Sequence, residues 1–206
     1  MLFADVRLIL STAGTWQCNN PESEQNVKKI HFPQAYKYPP RIVVWLSAFN
    51  FPSQKNLRIR TYATNVQKSS FDLHIDTWGD SEMRSATATW IACSWDRKDI
   101  CTGVNDTDDY RLWYPAQAKN GTRVTFDKDC DYSNPPKVLV AVSKLDMDVE
   151  RNLRFCASAS DVTREGFKWN VDAWADTEIY STSVNWISLP ASKIVRAPIK
   201  AWKPGS

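Results

Sequence analysis

The sequence predicts an all-β chain: two tandem antiparallel β-sandwich domains of about six strands each. Three observations carry this: an internal duplication, an apolar period of two within each copy, and the absence of any amphipathic helical stretch. Slid against itself by 96 residues, the chain aligns 39–91 with 135–187 without a gap, and 17 of the 53 aligned positions are identical. The identities cluster. Pro39-Pro40 meets Pro135-Pro136, Asn56-Leu57-Arg58 meets Asn152-Leu153-Arg154, and Trp90-Ile91 meets Trp186-Ile187. Asp76-x-Trp78-x-Asp80-x-Glu82 meets Asp172-x-Trp174-x-Asp176-x-Glu178.

Ile30 to Phe32 opens the first copy and Val124 to Phe126 the second, with Gly14 facing Gly103 further upstream. The nearly continuous apolar run Ile42 to Leu46, with its mate Val138 to Val142, reads as a buried strand. Leu57 to Ala63 and Leu153 to Ala159 follow. Phe71 to Trp78 and Phe167 to Trp174 alternate apolar and polar residues, which turns Phe71, Leu73 and Ile75 to the core and Asp76 and Trp78 to the other face. Gly79 to Glu82 reads as a hairpin loop that brings Arg84 opposite Trp78, and Ala175 to Glu178 likewise brings Tyr180 toward Trp174. Met83 to Ile91 and Ile179 to Ile187 close the copies. Domain limits are expected at 1–95 and 96–195, with a tail over 196–206 and the junction in the charged run Cys93 to Asp99.

The 206 residues carry a net charge of +3, with 6 Gly, 2 His, 5 Cys and 10 Trp. No glycine spacing suits a phosphate-cradling loop, and no CxxC or HExxH pattern offers a metal site, so no cofactor and no metal are expected. Basic residues run no longer than pairs, which argues against nucleic acid. Met1 to Leu8 carries two charges in its only apolar run, so neither a signal peptide nor membrane insertion is expected. The chain is read as cytoplasmic, or exported without a signal peptide. An odd, irregular set of cysteines suits free thiols better than a disulfide framework. The sequons at Asn105 and Asn120 carry weight only in a secreted chain.

Ten tryptophans exceed what a core of this size needs. Trp90 and Trp186 read as core plugs, and Trp45 and Trp169 as core-facing. Trp78 and Trp174 lie at loop shoulders, where an indole either caps a sandwich end or contacts a ligand. Arg58 and Arg154 point to the polar face, free for a ligand or paired with Asp76 and Asp172. The acid pairs Asp76/Asp80 and Asp172/Asp176 have the look of a glycosidase pair but also follow from turn chemistry. With no nucleophile and base at recognisable spacing, no enzyme is expected.

In order and spacing, these motifs resemble the H-type lectin domain, the family of snail agglutinin and the discoidin C-terminal domain. The second copy carries Phe126, Pro135-Pro136, Leu145-Asp146, Asn152-Leu153-Arg154, Gly166-Phe167, Asp172, Trp174, Asp176-Thr177, Tyr180-Ser181 and Val184-x-Trp186-Ile187. The resemblance implies a sandwich that binds galactose or N-acetylgalactosamine without metal, in homotrimers or higher homo-oligomers, with sites near protomer borders. It also implies a sugar site at Arg154, Trp174, Ala175 and Tyr180 in the second copy, the better preserved, and at Arg58, Trp78, Gly79 and Arg84 in the first. The family's acidic contact falls where the copies differ in length, with Asp109 and Glu22 as candidates. The family's His after the Trp is Gly79 or Ala175 here, and its Tyr is Arg84 in the first copy. The alternative expectation is an interaction module that kept the sandwich and lost the pocket.

Overall fold

The computed structural model describes residues 12–19, 21, 25–148 and 150–193. Met1 to Leu8, Glu22 and the tail over 196–206 therefore lie outside the described residues. The first copy contains β1 (Thr12–Asn19), β2 (Gln25–His31), β3 (Arg41–Asn50), β4 (Leu57–Thr64), β5 (Ser70–Asp76) and β6 (Ser85–Cys93). The second contains β7 (Cys101–Asp106), β8 (Lys119–Asn120), β9 (Arg123–Thr125), β10 (Lys137–Met147), β11 (Phe155–Ser160), β12 (Gly166–Ala173) and β13 (Ile179–Leu189).

Strands β1-β6-β3 form one layer of the first sandwich and β2-β5-β4 the other, while β7-β13-β10 and β11-β12-β8 repeat the pair in the second. Short β8 and β9 both pair with β12 and divide between them the place of β2. The two sandwiches are not separate beads. Strand β4 pairs antiparallel with β10, so that β2-β5-β4-β10-β13-β7 is one six-stranded sheet running through both copies.

Each copy is filled by an aromatic triad. Phe71 lies 5.2 Å from Trp90 and 5.6 Å from Phe32; in the second copy Phe167 lies 5.2 Å from Trp186 and 5.7 Å from Phe126. These rings prefer the edge-on and offset packings seen here, which is why their positions are shared by both copies. Opposite each Trp stands a glycine. A Cβ on Gly14 would come within 2.8 Å of the Trp90 ring, and one on Gly103 within 2.5 Å of the Trp186 ring. Ser47 and Ser143, identical across the repeat, occupy β-bulges where the registers of β3 and β10 shift.

The junction is pinned. The Arg41 guanidinium donates to the carbonyls of Trp95, Arg97 and Ile100, and Ile100 is buried with Val43, Cys93, Ile187 and Leu189 between the copies.

Three expectations need correction. The loops after β5 and β12 are not hairpins: β5 and β6, like β12 and β13, belong to different sheets, so each loop crosses between layers. Alternation shows which face a strand buries, and it is blind to whether the next strand pairs beside it or packs across from it. Trp45 faces the border between the copies, beside Val43 and Ile91, because β3 buries its second face there. Cys101 and Cys130 form a disulfide, brought together by a fold contact that spacing could not reveal, while Cys18, Cys93 and Cys156 are free. Burial pushes the Cys93 thiol up to about 11. Strands β1 and β7, poor in large apolar residues, escaped the periodicity reading altogether.

Replacing Gly103 by Ala is expected to destabilise the protein by about 1–3 kcal/mol through overpacking against Trp186. Denaturant unfolding measures it, and a loss well below about 1 kcal/mol would mean that the ring gives way.

Candidate functional site

Strand β4 exposes Arg58 and Arg60 on one face because Leu57, Ile59 and Thr61 alternate into the interior. The seam with β10 sets Arg58 opposite Asp146 and Arg60 opposite Lys144. Arg58 bonds Asp80 through one guanidinium nitrogen, and its Nε lies 3.5 Å from Asp146. Arg60 reaches Asp76 at 3.4 Å, and the Tyr62 hydroxyl donates to the same carboxylate at 2.8 Å. Asp76 also accepts from the Asn26 backbone N–H at 3.1 Å, which explains how a carboxylate tolerates 1 % exposure.

The second copy closes this face. After β7 a single 3-10 turn, Thr107–Asp109, is capped by Asp106 and tied to β13 by the Thr182 N–H, which donates to the Thr107 hydroxyl at 2.9 Å. The turn aims Asp106 and Asp108 at Lys144, which lies 3.2 Å from the former and 2.5 Å from the latter. Arg111 then braces the following loop by donating to Asn120 Oδ1 at 2.6 Å, and Trp113 of that loop packs edge-on against Tyr180 at 5.8 Å.

Together these elements enclose a cavity of about 360 Å³ on the border between the copies, lined by Arg60, Trp78, Asp108, Trp113, Lys144, Asp146 and Ser181. Two indoles and four charged side chains therefore face one space, with cations and carboxylates in equal number. The Asp146 Oδ1 atom is buried without a hydrogen-bond partner. Burial pushes this carboxyl up, against the pull of Arg58 and Lys144. The Arg58 hydrogen bond instead holds Asp80 below the ordinary carboxylate range.

The sequence-selected residues fall into two settings. Trp78 lines the cavity, and Gly79 beside it has φ +68°, with a Cβ there only 3.0 Å from Arg58. Arg58 pairs with Asp80 and Asp146, and Arg154 with Asp176, not with Asp76 and Asp172 as alternation suggested; Lys119 takes Asp172. The loop between layers reaches Arg58 and Arg154 first, and this decides the partner. Arg84 is exposed and lies outside the cavity lining. Asp109 is exposed on the turn whose neighbour, Asp108, lines the cavity.

In the second copy Arg154 is held between Asp176 and the Thr177 hydroxyl, which accepts its backbone N–H at 3.0 Å. Trp174 is 53 % exposed, and Ala175 adopts φ +58°, the left-handed backbone that Gly79 adopts freely. Tyr180 turns to Trp113 and Asp148, not toward Trp174. Among the described residues β11 has no strand on its outer edge, so Arg154 lacks the cross-strand acid that Arg58 has. Arg60, Asp108, Trp113, Lys144 and Asp146 went unselected in the sequence. The signals were the Leu145-Asp146 motif and the acid run Asp106 to Asp109, the latter in the segment whose length differs between copies.

The family model described as the H-type lectin domain matches residues 27–93 and 122–189. The chain is 27% identical over 97 residues to a Fuscovulum blasticum protein named "ATP synthase subunits region ORF 7", covering 47% of this chain and 76% of that one. Two solved structures of discoidin II from Dictyostelium discoideum are similar. The recombinant form has 10% identity, 85% and 81% coverage and a TM-score of 0.36; the wild type has 9%, 85%, 80% and 0.33.

Two outcomes are expected. Replacing Ala175 by Gly stabilises the protein by about 1 kcal/mol in denaturant unfolding, because it relieves the left-handed backbone. The two carboxyls flanking Arg58 titrate apart by NMR, Asp80 below and Asp146 above the ordinary value of about 3.9. Asp80 thus supports the fold above that value and loses its contribution as pH falls through its lowered pKa. Asp146 favours the fold most when protonated, and that contribution is lost as pH rises through its raised pKa. A common midpoint would contradict the assignment.

Proposed function

Because the chain belongs to the H-type lectin domain family and is a carbohydrate-binding lectin, we propose that it recognises galactose-type sugars, N-acetylgalactosamine foremost, in the cavity between its two copies. One observation carries the reading: Trp78 and Trp113 share a single cavity with Arg60, Lys144, Asp108 and Asp146. An indole face packs against the apolar C–H patch of such a sugar, while charged groups bond its neighbouring hydroxyls directionally and strongly. Arg58 and Gly79 support the wall behind Trp78, and Asp109 lies exposed on the acidic turn beside the lining residue Asp108.

Arg154, Trp174 and Ala175 constitute the matching half-site of the second copy, while Tyr180, expected beside them, packs on Trp113 at the inter-copy cavity. A second chain completes the half-site. Val43 is 3 % exposed where its mate Leu139 is 55 % exposed, and Leu57 is 1 % exposed where Leu153 is 42 % exposed. The positions that the second copy covers on the first thus lie open on the second. Such a head-to-tail contact gives a closed ring when its rotation closes; a three-fold rotation makes the protein a multivalent agglutinin, a homotrimer of six copies being the expected form. Avidity then raises modest single-site affinities. An interaction-module reading rests on Leu112, Trp113 and Tyr114, which are 79 %, 60 % and 64 % exposed in one loop.

Red-cell agglutination inhibited by free N-acetylgalactosamine is the expected result, and absence of any glycan binding would select the interaction module. On a glycan array Trp78→Ala is expected to weaken binding at least about tenfold, the usual scale for a lost aromatic platform. Arg154→Ala is expected to lower avidity; unchanged binding would remove Arg154 from any site. Light scattering reads the assembly directly, and a monomeric mass would end the oligomer proposal.

A further inference from the structure

The cavity beside Trp78 does not end at its charged floor. Arg60, Asp108 and Lys144 also line a second cavity of about 480 Å³ on the same border, further along β10 and β13. Its walls include Tyr62, Val104, Asp106, Ser143 and Asn185. The two spaces therefore form one groove crossed by a bar of three ion-paired side chains.

The second space contains polar groups that the protein leaves unused. Ser143 and Asn185 are 3 % and 6 % exposed, line the cavity, and make no side-chain hydrogen bond among the described residues. Their repeat mates behave otherwise. Ser47 and Thr89 bond each other at 2.9 Å, and Ser47 also donates to the Thr87 carbonyl at 3.2 Å, on an exposed face. Their polar atoms are open to the cavity rather than shut away unpaired, so a ligand hydroxyl can take the place of water on them. An Asn amide offers donors and an acceptor together, and a serine hydroxyl offers both roles, as a sugar hydroxyl requires. Tyr62 forms a rigid wall: His74 stacks on its ring at 4.4 Å, Arg60 lies 5.1 Å from the centroid, and Asp76 holds its hydroxyl. Exposed Val104 supplies an apolar lip. The cations Arg60 and Lys144 are matched by Asp76, Asp106 and Asp108, so the groove has no unpaired positive charge for an acidic sugar.

We propose that this groove binds a neutral oligosaccharide of at least two residues. One ring lies beside Trp78, the next lies in the cavity of Ser143 and Asn185, and the glycosidic linkage passes over the bar of Arg60, Asp108 and Lys144. The proposal rests on the lectin reading and specifies its ligand class.

Titration calorimetry tests it with free N-acetylgalactosamine, free galactose and a panel of neutral disaccharides ending in either sugar. At least one disaccharide is expected to bind about tenfold or more tightly than its terminal monosaccharide. Asn185→Ala and the milder Ser143→Ala, each checked for unaltered thermal unfolding, are expected to bring that disaccharide back toward the monosaccharide value while monosaccharide affinity holds. Trp78→Ala is expected to weaken both ligand classes. Monosaccharides and all disaccharides binding within twofold of one another would overturn the second subsite and leave the lectin reading standing. So would equal losses for both classes in the two cavity variants. No binding of any sugar would overturn the lectin reading itself and the subsite with it.

Discussion

The antiparallel seam between β4 and β10 is the contact on which the functional architecture depends. Without it the chain would be two similar sandwiches on a tether. With it, one six-stranded sheet crosses the border, and the polar face of β4 looks directly onto the acidic turn that follows β7. A seam of only four residue pairs sets Arg58 against Asp146 and Arg60 against Lys144. Because strand pairing fixes side-chain facing residue by residue, a slip of one position would turn both arginines into the core and the cavity would not form.

Supporting contacts hold that seam in register. Arg41 gathers three junction carbonyls, and the small apolar cluster of Val43, Cys93, Ile100, Ile187 and Leu189 fills the border away from the cavity. The disulfide between Cys101 and Cys130 ties the start of β7 to the loop before β10. Within each copy the aromatic triad and its facing glycine set the spacing between layers. The candidate cavity thus rests on strands β4, β10 and β13, which supply Arg60, Lys144, Asp146 and Ser181, while Trp78, Asp108 and Trp113 come from the loops and turn around it.

Duplication has made two equal halves with unequal fates. The second copy keeps Arg154, Trp174 and Tyr180, the fuller motif, yet Trp174 faces open surroundings and Ala175 bears a backbone that Gly79 accepts without strain. The first copy has Arg84 in place of the tyrosine, yet its Trp78 is half-buried beside a cavity to which the neighbouring copy supplies Asp108, Trp113, Lys144 and Asp146. A site shared between copies is judged poorly by scoring each copy alone.

How much was legible follows from what each signal measures. Alternation and the 96-residue repeat determined the sandwich class, the core faces of Phe71, Leu73 and Ile75, and the paired tryptophans, because burial of one strand face is a local periodic constraint. The family motifs selected Trp78 and Arg58, and the acid guess at Asp109 fell one residue from Asp108. Crossing loops, the disulfide and the partners of Arg58 and Arg154 were beyond that reach, since each is a contact between segments whose separation carries no period. The sequence by itself determined what each copy is. Only the tertiary structure decided where the candidate cavity lies, because it arises from the pairing of two strand edges that have no sequence signal for each other.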